Sequence, residues 1–566
     1  MPIQFRMVAN CFGMAVSLAF VSLLTAQEFK PGHDALSAMK EITSDRIASH
    51  IRFLSDDLLE GRGPASRGDQ LTQAYVASQF QGMGLKPLES LGWFQKVPLV
   101  GVLTHAPQTM DWKLPEGSSK QESWKYYDEY IATAGKQEKS LAIEDSELVF
   151  VGYGIQAPEY QWDDFKGVDL RGKILLMMNN DPSGDPDLFA GKRRLYYGRW
   201  DYKYESAARQ GAAGAIIIHT TESAGYPFKV IQTSWTGEEF ELEGSSGPRL
   251  TMKGWATEEA AKRLVAKCGK DLNALREAAE RKDFRPVPLG AKLSIQLQCD
   301  VRKQETANVL GWLEGSDPTL RDQPLIYMAH HDHIGMAKER NASGDMIYNG
   351  AIDNASGLST MLSIAAAYTR LEVRPKRSIL FAAVGAEEQG LLGSKYLAEH
   401  PPLPPGKMAA VINIDGIPFL GKTHDVNVIG GGKSDLDELL EKGVRWQNRV
   451  LTQDHFPDRG YYYRSDQFSL AKIGVPAIYL HSGTSVVGKP DDWGRRELEQ
   501  WIEKHYHQPS DEYNPNWDLS GAVEDAQLLF LVGNMIANQK TMPAWKRGDE
   551  FEAARKAALQ QVQEAR

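Results

Sequence analysis

Histidines and carboxylates stand at the ends of three successive apolar runs in this chain. LIYMA is followed by His330-His331-Asp332-His333, SILFAAVGA by Glu387-Glu388, and AAVINI by Asp415. Imidazole nitrogens and carboxylate oxygens are donors that suit zinc. Thiolates do not enter. The chain has three cysteines (Cys11, Cys268 and Cys299) and no CxxC or Cys/His finger spacing, so any metal must be held by His, Asp and Glu. One such residue is ordinarily structural or solvated. Three runs ending in this way point to a metal site.

The elements that position these groups read as an α/β pattern. From about Ala307, short apolar strands alternate with helices: LIYMA, SGLSTMLSIAAAYTRL, SILFAAVGA, LLGSKYLAEH, AAVINIDG and VPAIYLHSG. In open α/β sheets, ligands sit beyond the carboxyl ends of the strands, where the histidines and carboxylates fall. Ala35 to Leu99 reads as helical, interrupted by the turn EGRGPASRG. From about Ser146 the texture changes. ELVFVGYGI and GKILLMMNND read as strands, and DYKYESAARQGAAGAIIIHTT as a helix, a glycine stop and a strand. The Lys/Glu-rich stretch TEEAAKRLVAKCGKDLNALREAAERK is helical and ends near Pro286. From Lys546 the charged tail reads as a solvated helix.

The ordered fragments AHHDHIG, NGAIDNASG, GAEEQGLLGS, INIDG and HYHQPSDEY, spread from His330 to Asp511, resemble the family of cocatalytic di-zinc exopeptidases that contains bacterial aminopeptidases and glutamate carboxypeptidases. FVGYGI, Trp162-Asp163-Asp164 and KYESAARQGAAGAIIIH resemble a protease-associated domain, the insert of many members. The resemblance implies an α/β fold with a mixed, mostly parallel sheet flanked by helices, plus an inserted smaller β-rich α+β domain. It implies a peptidase segment at 35–145, the insert at 146–290, the zinc peptidase domain at 300–545 and a helical tail at 546–566.

The resemblance also implies roles. His330, Asp353, Glu388, Asp415 and His507 match the ligands of two zinc ions, with Asp353 bridging. His330 and Asp415 would share one ion, Glu388 and His507 the other. Glu387 matches the general base; spacing alone does not order the two glutamates. Asp332, two residues beyond His330, is placed to accept the other ring N–H of that histidine. His331 and His333 read as outer-sphere, cleft-wall or structural residues rather than ligands. Tyr506 matches a tyrosine that donates to the substrate oxyanion, against the plain reading of a packed aromatic. Ser465 and Asp466 match a cleft-lining pair whose usual following histidine is Gln467 here. The residue before the bridging aspartate, often acidic in the family, is Ile352, and members hold the following peptide, here Asp353–Asn354, in the cis form.

Composition narrows the function further. The 566 residues are 42% apolar and 24% charged, which excludes a disordered chain, and Lys+Arg (64) fall below Asp+Glu (74), which argues against nucleic-acid binding. The start MPIQFRMVANCFGMAVSLAFVSLLTAQEF reads as a signal peptide over residues 1–26, with an uncleaved membrane anchor as the rival. Without Cys11, the mature chain keeps Cys268 and Cys299, which either pair or are small buried residues. The expectation is a periplasmic or extracellular zinc exopeptidase acting on peptides, an aminopeptidase first and a glutamate-type carboxypeptidase second. In the second case Arg194, Arg199, Arg459 and Arg464 are the cations to examine. A non-catalytic receptor of the same fold is the alternative from another class; retention of all five ligands and the base speaks against it. The oligomeric state is not readable.

Overall fold

A computed structural model describes residues 29–564 except 118–120, 186, 187, 192, 245, 246, 338 and 342. The leader over residues 1–26 lies outside the described residues. Among the described residues, no helix is long and apolar enough to cross a membrane.

The amino-terminal part begins with helices whose starts are capped by side chains. In α1 (Ser44–Leu54), Thr43 accepts the amide of Arg46, and Ile47, Ile51 and Leu54 line the buried face. In α2 (Arg67–Gly82), Ser66 accepts the amide of Asp69. The helical reading to Leu99 runs too far. The chain leaves α2 through Met83 and Gly84, whose φ of +88° suits glycine, and then enters β1 (Phe94–His105).

The strands that follow include β2 (Tyr130–Ala134), β3 (Ser140–Phe150), β4 (Ile174–Met178), β5 (Gly214–His219) and β6 (Met252–Thr257). They pair in the order β3-β4-β5-β6-β2, parallel up to β6 and antiparallel at the β2 edge. β4 and β5 are buried at every position, the mark of parallel strands covered on both faces.

β7 (Val287–Leu313) is 27 residues long. Its start pairs with β3, its middle with β1 and its last residues with β9 (Ile379–Val384), after β8 (Leu325–His330) in the chain. A single strand therefore spans the positions 290 and 300 between which the sequence suggests a domain junction. β10 (Ala410–Asn413), β11 (Asp425–Val428), β12 (Val450–Gln453) and β13 (Ala477–His481) complete the sheet in the order β12-β11-β13-β10-β8-β9-β7. β9-β8-β10-β13 are parallel, β7 and β11 join antiparallel, and the sheet is thus mixed but mostly parallel. Leu358, Met361 and Leu362 of α3 (Gly357–Thr369) share one buried core with Leu528, Val532 and Ile536 of α4 (Ser520–Asn538) and with Tyr327, Phe381 and Ile412 of the sheet.

The carboxyl-terminal helix α5 (Glu552–Glu564) is docked, not solvated. Arg555 is buried and donates to the carbonyls of Met408 (3.0 Å) and Pro405 (3.2 Å). Cys268 and Cys299 are free thiols, so the two do not pair.

Arg62 joins the amino-terminal part to the carboxyl end of β8 in the second half of the sheet. Its guanidinium is buried and donates only to backbone carbonyls: Leu54, His331 (3.0 Å), Asn349 (2.6 Å) and Gly350 (3.0 Å). Those carbonyls flank His330 and the approach to Asp353. Hydrogen bonds to a charged donor are worth more than neutral ones, and the abandoned carbonyls would be buried. Arg62→Met is expected to lower the unfolding free energy by roughly 3 kcal/mol in urea titrations, with Arg62→Lys recovering only part. An unchanged midpoint would remove Arg62 as a fastening point.

Candidate metal centre

His330 is the last residue of β8, and its side chain is buried. Its Nδ1 donates to the carbonyl of Asp332 at 3.3 Å. Its Nε2 lies 3.4 Å from Asp353 Oδ1 and 3.3 Å from Asp415 Oδ1. His507, in a left-handed conformation (φ 57°), brings Nε2 to 3.1 Å from both Asp353 Oδ2 and Glu388 Oε2. One carboxylate, Asp353, thus faces both imidazoles, each with an oxygen of its own. The five side chains come from the ends of β8, β9 and β10, from the turn before α3 and from the segment after Lys504, and they meet at one place. A Glu387 oxygen lies within 4.8 Å of ligand atoms of His330 and Asp415. The peptide Asp353–Asn354 is cis.

Several residues that the motifs leave unassigned hold these groups. Asp511 is buried; its oxygens accept the amides of Ile352 (3.0 Å) and Asp353 (3.1 Å). Asn354 Oδ1 accepts the amides of Gly357 and Gly416, both at 2.9 Å, and so links the turn of Asp353 to the loop of Asp415. Ser465 Oγ donates to Asp415 Oδ2 at 2.6 Å, and Asn413 donates to Ser465 Oγ at 2.7 Å. The Ser-Asp pair of the sequence gives a signal for Ser465. Asp511 ends the last motif, but nothing in its spacing tells that it caps a backbone.

Asp332 departs from the expectation. Its Oδ1 stands 3.9 Å from His330 Nδ1, beyond hydrogen-bond reach, and that nitrogen takes the backbone carbonyl of Asp332 instead. The carboxylate accepts the amides of Glu387 (3.0 Å) and Glu388 (3.3 Å). The chain is no longer extended after His330, so the i+2 side chain turns toward β9 and orders its acidic turn. His331 contacts Asp69 of α2 at 2.9 Å, a structural bond. Tyr506 stacks on His507 with ring centroids 3.9 Å apart, and Arg464 donates to its hydroxyl at 3.4 Å.

These donors fit divalent cations. With Nδ1 of His330 donating to a carbonyl, its Nε2 lone pair faces two carboxylates, an arrangement that needs a proton or a cation between them. Burial opposes a charge on His507, yet Glu388 and Asp353 hold that imidazole up to about 10. Burial, with Glu388 and Asp466 close by, pushes the Glu387 carboxyl well above the usual carboxylate range, although His330 draws it down. Metal ions would replace the protons that this anionic cluster otherwise recruits. His330 and Asp415 with Asp353 form one donor set, and Glu388 and His507 with Asp353 a second, as zinc prefers.

Residues 308–531 match the model of peptidase family M28. The chain is 25% identical over 413 residues to a glutamate carboxypeptidase 2 homolog of Caenorhabditis elegans, covering 63% of this chain and 47% of that protein. It is 25% identical over 219 residues to aminopeptidase YwaD of Bacillus subtilis (strain 168), covering 37% of this chain and 40% of that protein. The chain thus spans less than half the length of these curated relatives. Among solved structures, an aminopeptidase from Aneurinibacillus sp. strain AM-1 superposes with a TM-score of 0.52 at 20% identity, over 90% of this chain and 97% of that one; this likeness concerns the fold. Residues 308–531 are thus similar to the peptidase family M28, which supports a zinc metallopeptidase domain in this part of the chain.

Proposed function

We propose that this protein is an exported di-zinc exopeptidase, an aminopeptidase that hydrolyses the first peptide bond of its substrate. The observation that carries the reading is the meeting of His330 and His507 on opposite oxygens of Asp353, with Glu388 and Asp415 beside them. The residues at 146–290 serve as a protease-associated domain, and the leader at 1–26 directs export.

His330, Asp353 and Asp415 would hold one zinc ion, and Asp353, Glu388 and His507 the other. When bound, such a pair polarises the scissile carbonyl and stabilises the negative charge that grows on its oxygen. The remaining steps fall to the chain. Glu387, beside His330 and Asp415, takes a proton from the attacking water and returns it to the departing amine. Asp332 fixes the turn that presents Glu387 by accepting its amide. Ser465 holds Asp415 in orientation, and Asp511 does the same for the backbone of Asp353. An acidic cleft suits an α-ammonium group, and two of the proteins to which the chain is similar are named aminopeptidases.

One observation favours a second reading, in which a carboxylate of the substrate is bound. Arg194 and Arg199 each bury an Nε without a hydrogen-bond partner. Burial holds Arg194 down to about 10, and the neighbouring guanidiniums of Arg199 and Arg464 add to that, so the three charges share one region. Arg464 reaches Tyr506, the neighbour of His507. Arg459 instead lies over Phe456 and donates to Tyr461. A similarity to a glutamate carboxypeptidase 2 homolog accords with such a site.

Glu387→Gln is expected to keep its zinc, by elemental analysis, while hydrolysis falls at least a hundredfold, within the range of a positioned acid-base group. Turnover at the wild-type rate would remove Glu387 as the base. Asp353→Ala should lose both ions, because each donor set is built on it. In paired assays, a free peptide is expected to be cleaved and its N-acetylated counterpart with a carboxyl-terminal glutamate spared. Cleavage of the blocked peptide alone would replace the aminopeptidase reading with the second one.

A further inference from the structure

His333 does not behave as a structural histidine. Its side chain is fully buried, yet neither ring nitrogen has a hydrogen-bond partner. A core imidazole normally donates to a carbonyl or a carboxylate, and leaving both nitrogens bare is costly. His331, two residues earlier, shows the ordinary case with its bond to Asp69. The ring of His333 instead faces the candidate metal centre. Its Nδ1 is 2.6 Å from Glu388 Oε1, but the pair is not aligned as a hydrogen bond. The other oxygen of the same carboxylate is 3.1 Å from His507 Nε2, and the rings of His333 and His507 meet edge-on with centroids 5.6 Å apart. Ligand atoms of His333, Asp353 and Glu388 all lie within 4.8 Å of one another.

The backbone reserves room for this ring. Gly350 has a φ of +57°, and a Cβ on it would stand 2.6 Å from Cγ and Cδ2 of His333. Any other residue there would drive the imidazole off its place. From the other side, the amide of His333 donates to the carbonyl of Arg62 at 3.3 Å. The ring is therefore held against Glu388 by elements of both chain segments.

We propose that His333 is a third imidazole ligand, binding through Nδ1 the cation held by Asp353, Glu388 and His507. This rests on the di-zinc reading above and goes beyond its five ligands. The two positions then differ in kind. The Glu388 side has four protein donors and the His330 side three, the more open set. Glu387 lies by the open set, where a free coordination position is needed.

A crystal structure of the wild-type protein loaded with zinc tests this directly. The expected result is one ion with Nδ1 of His333 at about 2.0–2.1 Å. Two ions with His333 beyond about 3 Å of both, or donating a proton to Glu388, would overturn the proposal and leave the di-zinc reading standing. Failure of any zinc to bind would overturn both. As a second measurement, His333→Asn, dialysed against graded chelator, is expected to release one of its two zinc ions at a chelator level at least tenfold lower than wild type. Identical release curves for the folded variant would also count against ligation.

Discussion

The carboxyl-terminal half of this protein is organised around a surplus of buried negative charge. Asp332, Asp353, Glu387, Glu388, Asp415 and Asp511 crowd the carboxyl ends of β8, β9 and β10, where the buried guanidinium of Arg62 spends its donors on carbonyls. Mutual repulsion would spread such a cluster unless something met each oxygen. Two kinds of partner do. Asp332 and Asp511 take backbone amides, which are cheap, fixed and cannot leave. Asp353, Glu388 and Asp415 keep oxygens turned toward imidazole nitrogens instead. That sorting, amide-bound against imidazole-facing, separates the carboxylates that shape the site from those available to a cation.

Much of this was readable from residue types. The runs LIYMA, SILFAAVGA, AAVINI and VPAIYLHSG become β8, β9, β10 and β13 because each is a short apolar stretch bounded by turn residues, and fully buried parallel strands read that way. The side chains that meet at Asp353 are those the ordered motifs named. What escaped has physical causes. Asp332 was assigned by the period of an extended strand, yet the strand stops at His330, so the side chain points elsewhere. The alternation in FQKVPLVGVLTH is blurred because β1 is covered along much of its length, and a helical continuation of α2 looked equally natural. β7 hides a domain transition inside one strand; its regular alternation carries no punctuation where its partners change. The docking of α5 depends on Arg555, a residue whose type predicts exposure and whose partners, Pro405 and Met408, lie far away in sequence.

The strands between Tyr130 and Thr257 are not an appendage on this sheet. β7 hydrogen-bonds to β3 at one end and β9 at the other, so displacement of one part bends the strand that frames the other. Arg194 adds a second tie: its amide donates to the carbonyl of Pro457 at 2.9 Å, and its side chain packs on Gly460, where a Cβ would stand 3.3 Å away. With φ at +62°, Gly460 is a position that favours glycine twice, by conformation and by space.

These ties give the site a direction. Glu387 stands with His330 and Asp415, whereas Tyr506 and the guanidinium of Arg464 stand with His507. Asp353 thus stands between a carboxyl on the His330 side and a guanidinium on the His507 side. Without bound cations the carboxylates make the field around Asp353 negative, and Arg464 opposes it on the His507 side. Charge thus distinguishes the two sides of Asp353 before any shape is considered, and Arg194 and Arg199, which neighbour Arg464, add to the positive side.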